Sequence, residues 1–120
     1  MSRGFEERGN AVAGVSEAIQ VVGRVFDFEM EGYTFRLDFT SESSLTYTVL
    51  RAPNPFQVDT KQTVDYHRVE IRPNVYFVYW QEPDKTTVTH YEDFEKNVVY
   101  SNITTPDHEF LTLHGTIKPM

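Results

Sequence analysis

From Val21 onward the sequence is a succession of runs, six to ten residues long and rich in Val, Ile, Thr, Tyr and Phe, each cut short by a turn cluster: EG, SESS, PN, EPDK, FEKN or PDHE. Such punctuation reads as short strands joined by tight turns. The spacing predicts eight strands, at about 21–30, 33–40, 44–51, 63–72, 75–82, 86–93, 97–104 and 109–117. Only the connection APNPFQVDT, residues 52–60, is longer than a tight turn. Tight turns leave no room for crossover helices, so neighbours in sequence pair antiparallel. A sheet of that size keeps two exposed edges unless it closes on itself. The expected fold is therefore all-β, an eight-stranded antiparallel up-and-down β-barrel, and a barrel of that strand number can hold one small ligand.

The 120 residues suit one core. Residues 1–20, with a weak helical stripe at Val12, Val15 and Ile19, read as a tail with a short lid-like helix, and 21–120 as the barrel domain. Nine Phe, seven Tyr and a single Trp must fill much of the interior, which favours a fold with wide internal space. The formal charge of -7 comes with no run of Lys or Arg, which argues against nucleic acid as a partner. A small molecule or another protein is expected instead. There is no cysteine, so disulfides, thiolate nucleophiles and Cys-based metal sites are excluded. No apolar run approaches the ~20 residues that span a bilayer, and the start lacks a signal-peptide core. A soluble, cytoplasmic protein with no membrane partner is the default expectation.

Side chains alternate across a strand, so each run offers two faces. In 75–82 one face carries Tyr76, Val78, Trp80 and Glu82 and the other Val75, Phe77, Tyr79 and Gln81. Both are largely apolar, as expected where one lines a cavity and the other packs on something else; Phe77 and Tyr79 suggest a symmetric homodimer. The next run offers Thr86, Val88, His90 and Glu92 against Thr87, Thr89, Tyr91 and Asp93, and pattern alone does not choose between them. Coherent inward faces elsewhere are Phe26, Phe28 and Met30; Tyr33, Phe35, Leu37 and Phe39; Leu45, Tyr47 and Val49; and Val98, Tyr100 and Asn102.

The pieces IRPNVYFVYWQE, TTVTHYED and ITTPDHEF, in this order and together with VGRVFDFEMEGYTFRLDF, resemble the small calycin or lipocalin-like barrels called MoaF-like, over about residues 21–118. The family name points to molybdenum-cofactor biosynthesis, but no Gly-rich phosphate loop is present. A more distant likeness is to bacterial phenolic acid decarboxylases, cofactor-free barrels with a hairpin of the form VYxVxWxEPxxTxV. That resemblance implies a catalytic role for Glu82, a cavity wall of Trp80 and Val78, and Val88 and His90 facing them. It also places Phe26 and Phe28 where those enzymes carry paired tyrosines, and puts their arginine in a divergent stretch around Asp59 with no basic residue matched to it. Substrate carboxylate binding in their manner is therefore not expected.

An inward Glu82 among Trp80, Val78 and Tyr76 would have its pKa raised by desolvation, which suits a general acid or base. His90, opposite it, would supply a second titrating group. Tyr47, Tyr66 and Tyr100 could add phenolic donors, and aromatic walls favour a flat, conjugated ligand. His67 shares a face with Val69 and Ile71 and reads as buried, His108 as exposed, and Glu92 and Asp93 as part of a solvated hairpin end, although an inward Glu92 would pair naturally with His90. No HxH or HExxH motif supports a metal, and no cofactor is expected. The functional expectation is a small-molecule-binding barrel acting as a cofactor-independent lyase or isomerase on a small aromatic or unsaturated compound. The alternative is a non-catalytic lipocalin-like carrier or accessory protein.

Overall fold

The computed structural model describes residues 18–54 and 57–120. Its strands are β1 (Val25–Met30), β2 (Tyr33–Phe39), β3 (Ser44–Arg51), β4 (Lys61–Asp65), β5 (His67–Arg72), β6 (Val75–Gln81), β7 (Thr87–Asp93), β8 (Val98–Thr104) and β9 (Phe110–Pro119). All pairings are antiparallel, in the spatial order β4-β3-β2-β1-β9-β8-β7-β6-β5. No helix occurs among the described residues, and the lid-like helix expected near the start falls mostly outside them.

Nine strands replace the expected eight because the run 63–72 changes partner at Tyr66. Its first half pairs with β3 (Ser44↔Asp65) and its second with β6 (His67↔Tyr79). The two ends of the sheet are thus joined through one residue, and the sheet wraps into a nearly closed barrel. The first strand begins at Val25 rather than 21, since Val22–Gly23 forms a turn whose Gly23 has a φ of 87°.

The turns sort the chain into two ends. Glu31 and Gly32, both with positive φ, make the two-residue hairpin between β1 and β2. At the same end, the β6–β7 and β8–β9 turns repeat one construction: Glu82-Pro83-Asp84-Lys85-Thr86 and Thr105-Pro106-Asp107-His108-Glu109. In each the first residue's N–H donates to the fifth residue's carbonyl, and the fourth, Lys85 or His108, takes the left-handed conformation. Proline fixes φ for the second position and the short aspartate suits the third.

The opposite end is plugged. Phe26 meets Phe39 and Phe94 edge-to-face, Phe39 meets Tyr66, and Tyr76 meets Phe94. Val21 packs into this floor, and the Ile19 N–H donates to Asn74 Oδ1 at 2.7 Å, so the stretch leading into β1 caps the barrel's base. Phe26, Phe28 and Phe39 are essentially inaccessible, and each such ring contributes roughly 1.5–3 kcal/mol by burial. Phe26, Phe39, Tyr66, Tyr76 and Phe94 fill the base, and the other end is hollow.

The outer surface carries a cross-strand row in register, Val69–Phe77–Tyr91–Tyr100–His114. Phe77 and Tyr79, on which the dimer expectation rests, belong to this exposed face. His67 lies there too, stacked on Tyr79 with centroids 4.9 Å apart, and Val69 and Ile71 are exposed, which corrects the buried reading of that run.

Candidate functional site

Along β6 and β7 the inward residues pair by level: Tyr76 with Glu92, Val78 with His90, and Trp80 with Val88. The Glu82 N–H then bonds the Thr86 carbonyl at 2.8 Å, just beyond the strand ends. The hollow end of the barrel is a cavity of about 340 Å³. Its apolar walls come from Leu37, Val49, Trp80, Val88, Ile103 and Leu111, and its mouth from the loop after β3 and the twin turns.

Glu82 sits near the mouth with both carboxyl oxygens engaged. Oε1 accepts from the Tyr47 hydroxyl at 3.0 Å and Oε2 from the Trp80 indole N–H at 3.1 Å. Burial pushes its pKa above the ordinary glutamate range, the two donors oppose that rise, and the nearby Asp84 charge adds to it. Asp84 itself is held below the usual carboxylate range by hydrogen bonds from Thr86. Burial and the Glu82 charge raise the Tyr47 phenol far above its usual value, so it stays a hydroxyl. That hydroxyl also lies 2.9 Å from Gln62 Oε1. A phenol has one proton to give, and an amide can present either its oxygen or its NH₂. With Glu82 ionised, Tyr47 donates to it and Gln62 turns its NH₂ to the phenol. With Glu82 protonated, the carboxyl donates to Tyr47, which passes its own proton toward the Gln62 oxygen. Gln62, Tyr47 and Glu82 thus satisfy both protonation states without moving a main chain.

His90 forms a second unit, deeper in the barrel. The residue is 3% exposed, its ring packs on Phe28 (5.5 Å) and edge-on to Trp80 (5.2 Å), and its Nδ1 lies 2.8 Å from Glu92 Oε2. Glu92 is 1% exposed and Asp93 2%, so both leave the solvated role expected of them; Asp93 accepts from the Glu95 and Lys96 N–H groups in the closed-end turn. The direct Glu82–His90 pair anticipated from sequence is not made. Val78, opposite His90, is four residues from Glu82, roughly 13 Å at the rise of a strand. Trp80 stands between the two units and touches both.

Of the residues expected to form the site, Tyr47, Trp80, Glu82, Val88 and His90 line the cavity. Phe26, Phe28, Tyr66, Tyr76 and Val78 are buried in the core without lining it, and the Tyr66 hydroxyl is used to bind the Ser41 carbonyl at 2.8 Å. Tyr100 is 58% exposed on the outer face, because the inward phase of β8 is Val99, Ser101 and Ile103. Sequence reasoning did not assign Gln62, Ile103 or the rim acids Asp84, Asp107 and Glu109 to the site. The twin x-Pro-Asp turns were the available signal for the acids. Among the described residues no group of three or more His, Asp or Glu side chains is arranged to hold a metal ion, and no helix is long and apolar enough to cross a membrane.

The fold and site define a small, nearly closed antiparallel barrel, plugged at one end and hollow at the other. Residues 22–118 match the family described as MoaF-like, and the chain belongs to that family. A solved structure of a "putative beta-lactamase" from Burkholderia vietnamiensis is similar, with a TM-score of 0.78 and 21% identity over 88% of this chain and 100% of that one; the likeness is one of fold. No curated protein matches the sequence.

Proposed function

We propose that the barrel binds one small, flat, largely apolar molecule in its open end and moves a proton on it through Glu82, as a lyase or isomerase working with side chains alone. The observation that carries this reading is the half-buried Glu82 carboxyl, raised above its ordinary range at the cavity wall and held by Tyr47 and Trp80. A carboxyl with a pKa moved toward neutrality can both take and return a proton. Gln62 and Tyr47 keep each state hydrogen-bonded, so a proton transfer leaves no stranded donor. His90, fixed through Nδ1 by Glu92, presents its other nitrogen as a ligand partner.

A carrier reading is favoured by one feature: Glu82 and His90 do not touch, so the carboxyl has no relay partner of its own kind. The two readings separate in one experiment. Small unsaturated compounds that raise the unfolding temperature are incubated with the protein and followed for conversion. Acid–base catalysis predicts turnover that Glu82→Gln abolishes while ligand binding remains. Binding with no conversion supports the carrier, and turnover that survives Glu82→Gln removes the proton-transfer role.

A further inference from the structure

The cavity's charge is one-sided. Glu82, Asp84, Asp107 and Glu109 all line it, and among the described residues no lysine or arginine does. Several of the chain's cations are committed elsewhere: Arg36 to Asp27, Arg72 to Asp93 and Glu95, Lys118 to Glu29, and Arg68 over the Tyr76 ring. Lys85, in the rim turn itself, is exposed and is not on the lining. Among the described residues none of the four lining carboxylates has an ion-pair partner.

Two further observations point to a ligand. Tyr47 and Trp80 form one ring pair on the cavity wall, with centroids 6.5 Å apart and planes 27° apart, and Tyr33 and Phe35 form another at 5.8 Å and 20°. Ring faces beside a carboxylate attract organic cations, since the π-cloud and the anion act with the same sign. Secondly, the His90 side chain is 4% exposed and lines the cavity, and Nε2 has no hydrogen-bond partner among the described residues while Nδ1 is held by Glu92. In the neutral tautomer that directs its Nδ1 proton at Glu92, Nε2 is a lone-pair acceptor suited to a donor group.

We infer that the cavity selects a small organic cation, an ammonium group on a flat apolar body, and rejects carboxylates. The inference rests on the ligand-binding reading above and names its substrate class. The ammonium lies among the mouth carboxylates with its body between the aromatic walls. An anion in the same place would meet repulsion from the acids with no counter-ion, in a partly desolvated site where charge is weakly screened.

Benzylammonium, benzyl alcohol and benzoate share one body and differ in charge, and Trp80, the only tryptophan, reports binding from the cavity wall. At neutral pH and equal ionic strength, fluorescence and calorimetric titrations should show benzylammonium about tenfold or more tighter than benzyl alcohol, and benzoate weaker than both. Glu82→Gln, and separately the rim pair Asp107→Asn with Glu109→Gln, should each narrow the ratio of amine to alcohol affinity measured within the same variant. Alcohol binding by each variant also shows that it is folded. Benzoate binding as tightly as the amine, or an amine no tighter than the alcohol, overturns the cation preference and leaves the cavity reading standing. Failure of all three probes to bind removes both.

Discussion

The indole N–H of Trp80 donates to Glu82 Oε2 at 3.1 Å, and the same ring system meets His90 edge-on at 5.2 Å. One side chain therefore joins the acid near the mouth to the buried histidine. Trp80→Phe keeps an aromatic body and deletes the donor. It should lower unfolding free energy by about 2 kcal/mol, combining a lost hydrogen bond to a carboxylate with lost packing. It should also raise the Glu82 pKa further, because one of the two bonds that oppose desolvation is gone. Denaturant unfolding monitored by circular dichroism checks the first effect.

The titration of Glu82 has a definite sign. Burial raises its folded pKa above the unfolded value, so its contribution to stability is complete below the unfolded pKa and is lost as pH rises through the folded one. The difference in unfolding free energy between the native chain and Glu82→Gln should shift in favour of the variant across that window. Asp84, whose pKa is lowered, contributes in the opposite sense and titrates below that window, so it stays ionised through it in both proteins. Thermal melts from acidic to neutral pH read the difference directly.

His90 and Glu92 are a buried pair, and removing one partner strands the other. His90→Leu should cost about 1–3 kcal/mol by leaving a buried carboxyl without its hydrogen bond, whereas His90→Leu with Glu92→Leu should recover most of that loss. Urea unfolding of the native chain, His90→Leu, Glu92→Leu and the double variant forms the cycle. A single variant as stable as the native chain would mean that the pair carries no electrostatic load.

Gly115 stands where β9 leaves β8 and approaches β1, and a Cβ there would overlap the main chain of Glu29 and Met30. Backbone cannot swing aside as a flexible side chain can. Gly115→Ala should destabilise by about 1–3 kcal/mol through a parted β1–β9 seam. Faster amide exchange at Phe28 and Thr116 would localise the damage.

The barrel was legible in the sequence because the turn clusters are strong and local: EG, EPDK and PDHE fall where chain reversals occur. The change of partner at Tyr66 was not legible. Gln62, Val64, Tyr66 and Arg68 keep one alternation through it, so only the neighbouring strands, β3 on one side and β6 on the other, reveal a break. In β8, Val98 and Val99 are adjacent and equally apolar, and the large ring of Tyr100 pulled the assignment to the wrong phase. Ile103 against Asn102 carried the correct one. For the site, alternation brought Trp80 and Glu82 together, and likewise His90 and Glu92. It could not say how far up the barrel the interior stops being solid, because that depends on where Phe26, Phe39, Phe94 and Tyr66 crowd together. Tyr76 and Val78 ended in the solid core and Tyr47 on the cavity wall.

A single tryptophan gives a single indole N–H resonance, and here that proton is bonded to the carboxyl on which the proposed chemistry depends. Its shift, followed against pH, should titrate with an apparent pKa above the ordinary glutamate range, and Tyr47→Phe should move that value higher still. An indole signal indifferent to pH across that window, or one that titrates at or below the usual glutamate value, would contradict a desolvated, proton-ready Glu82.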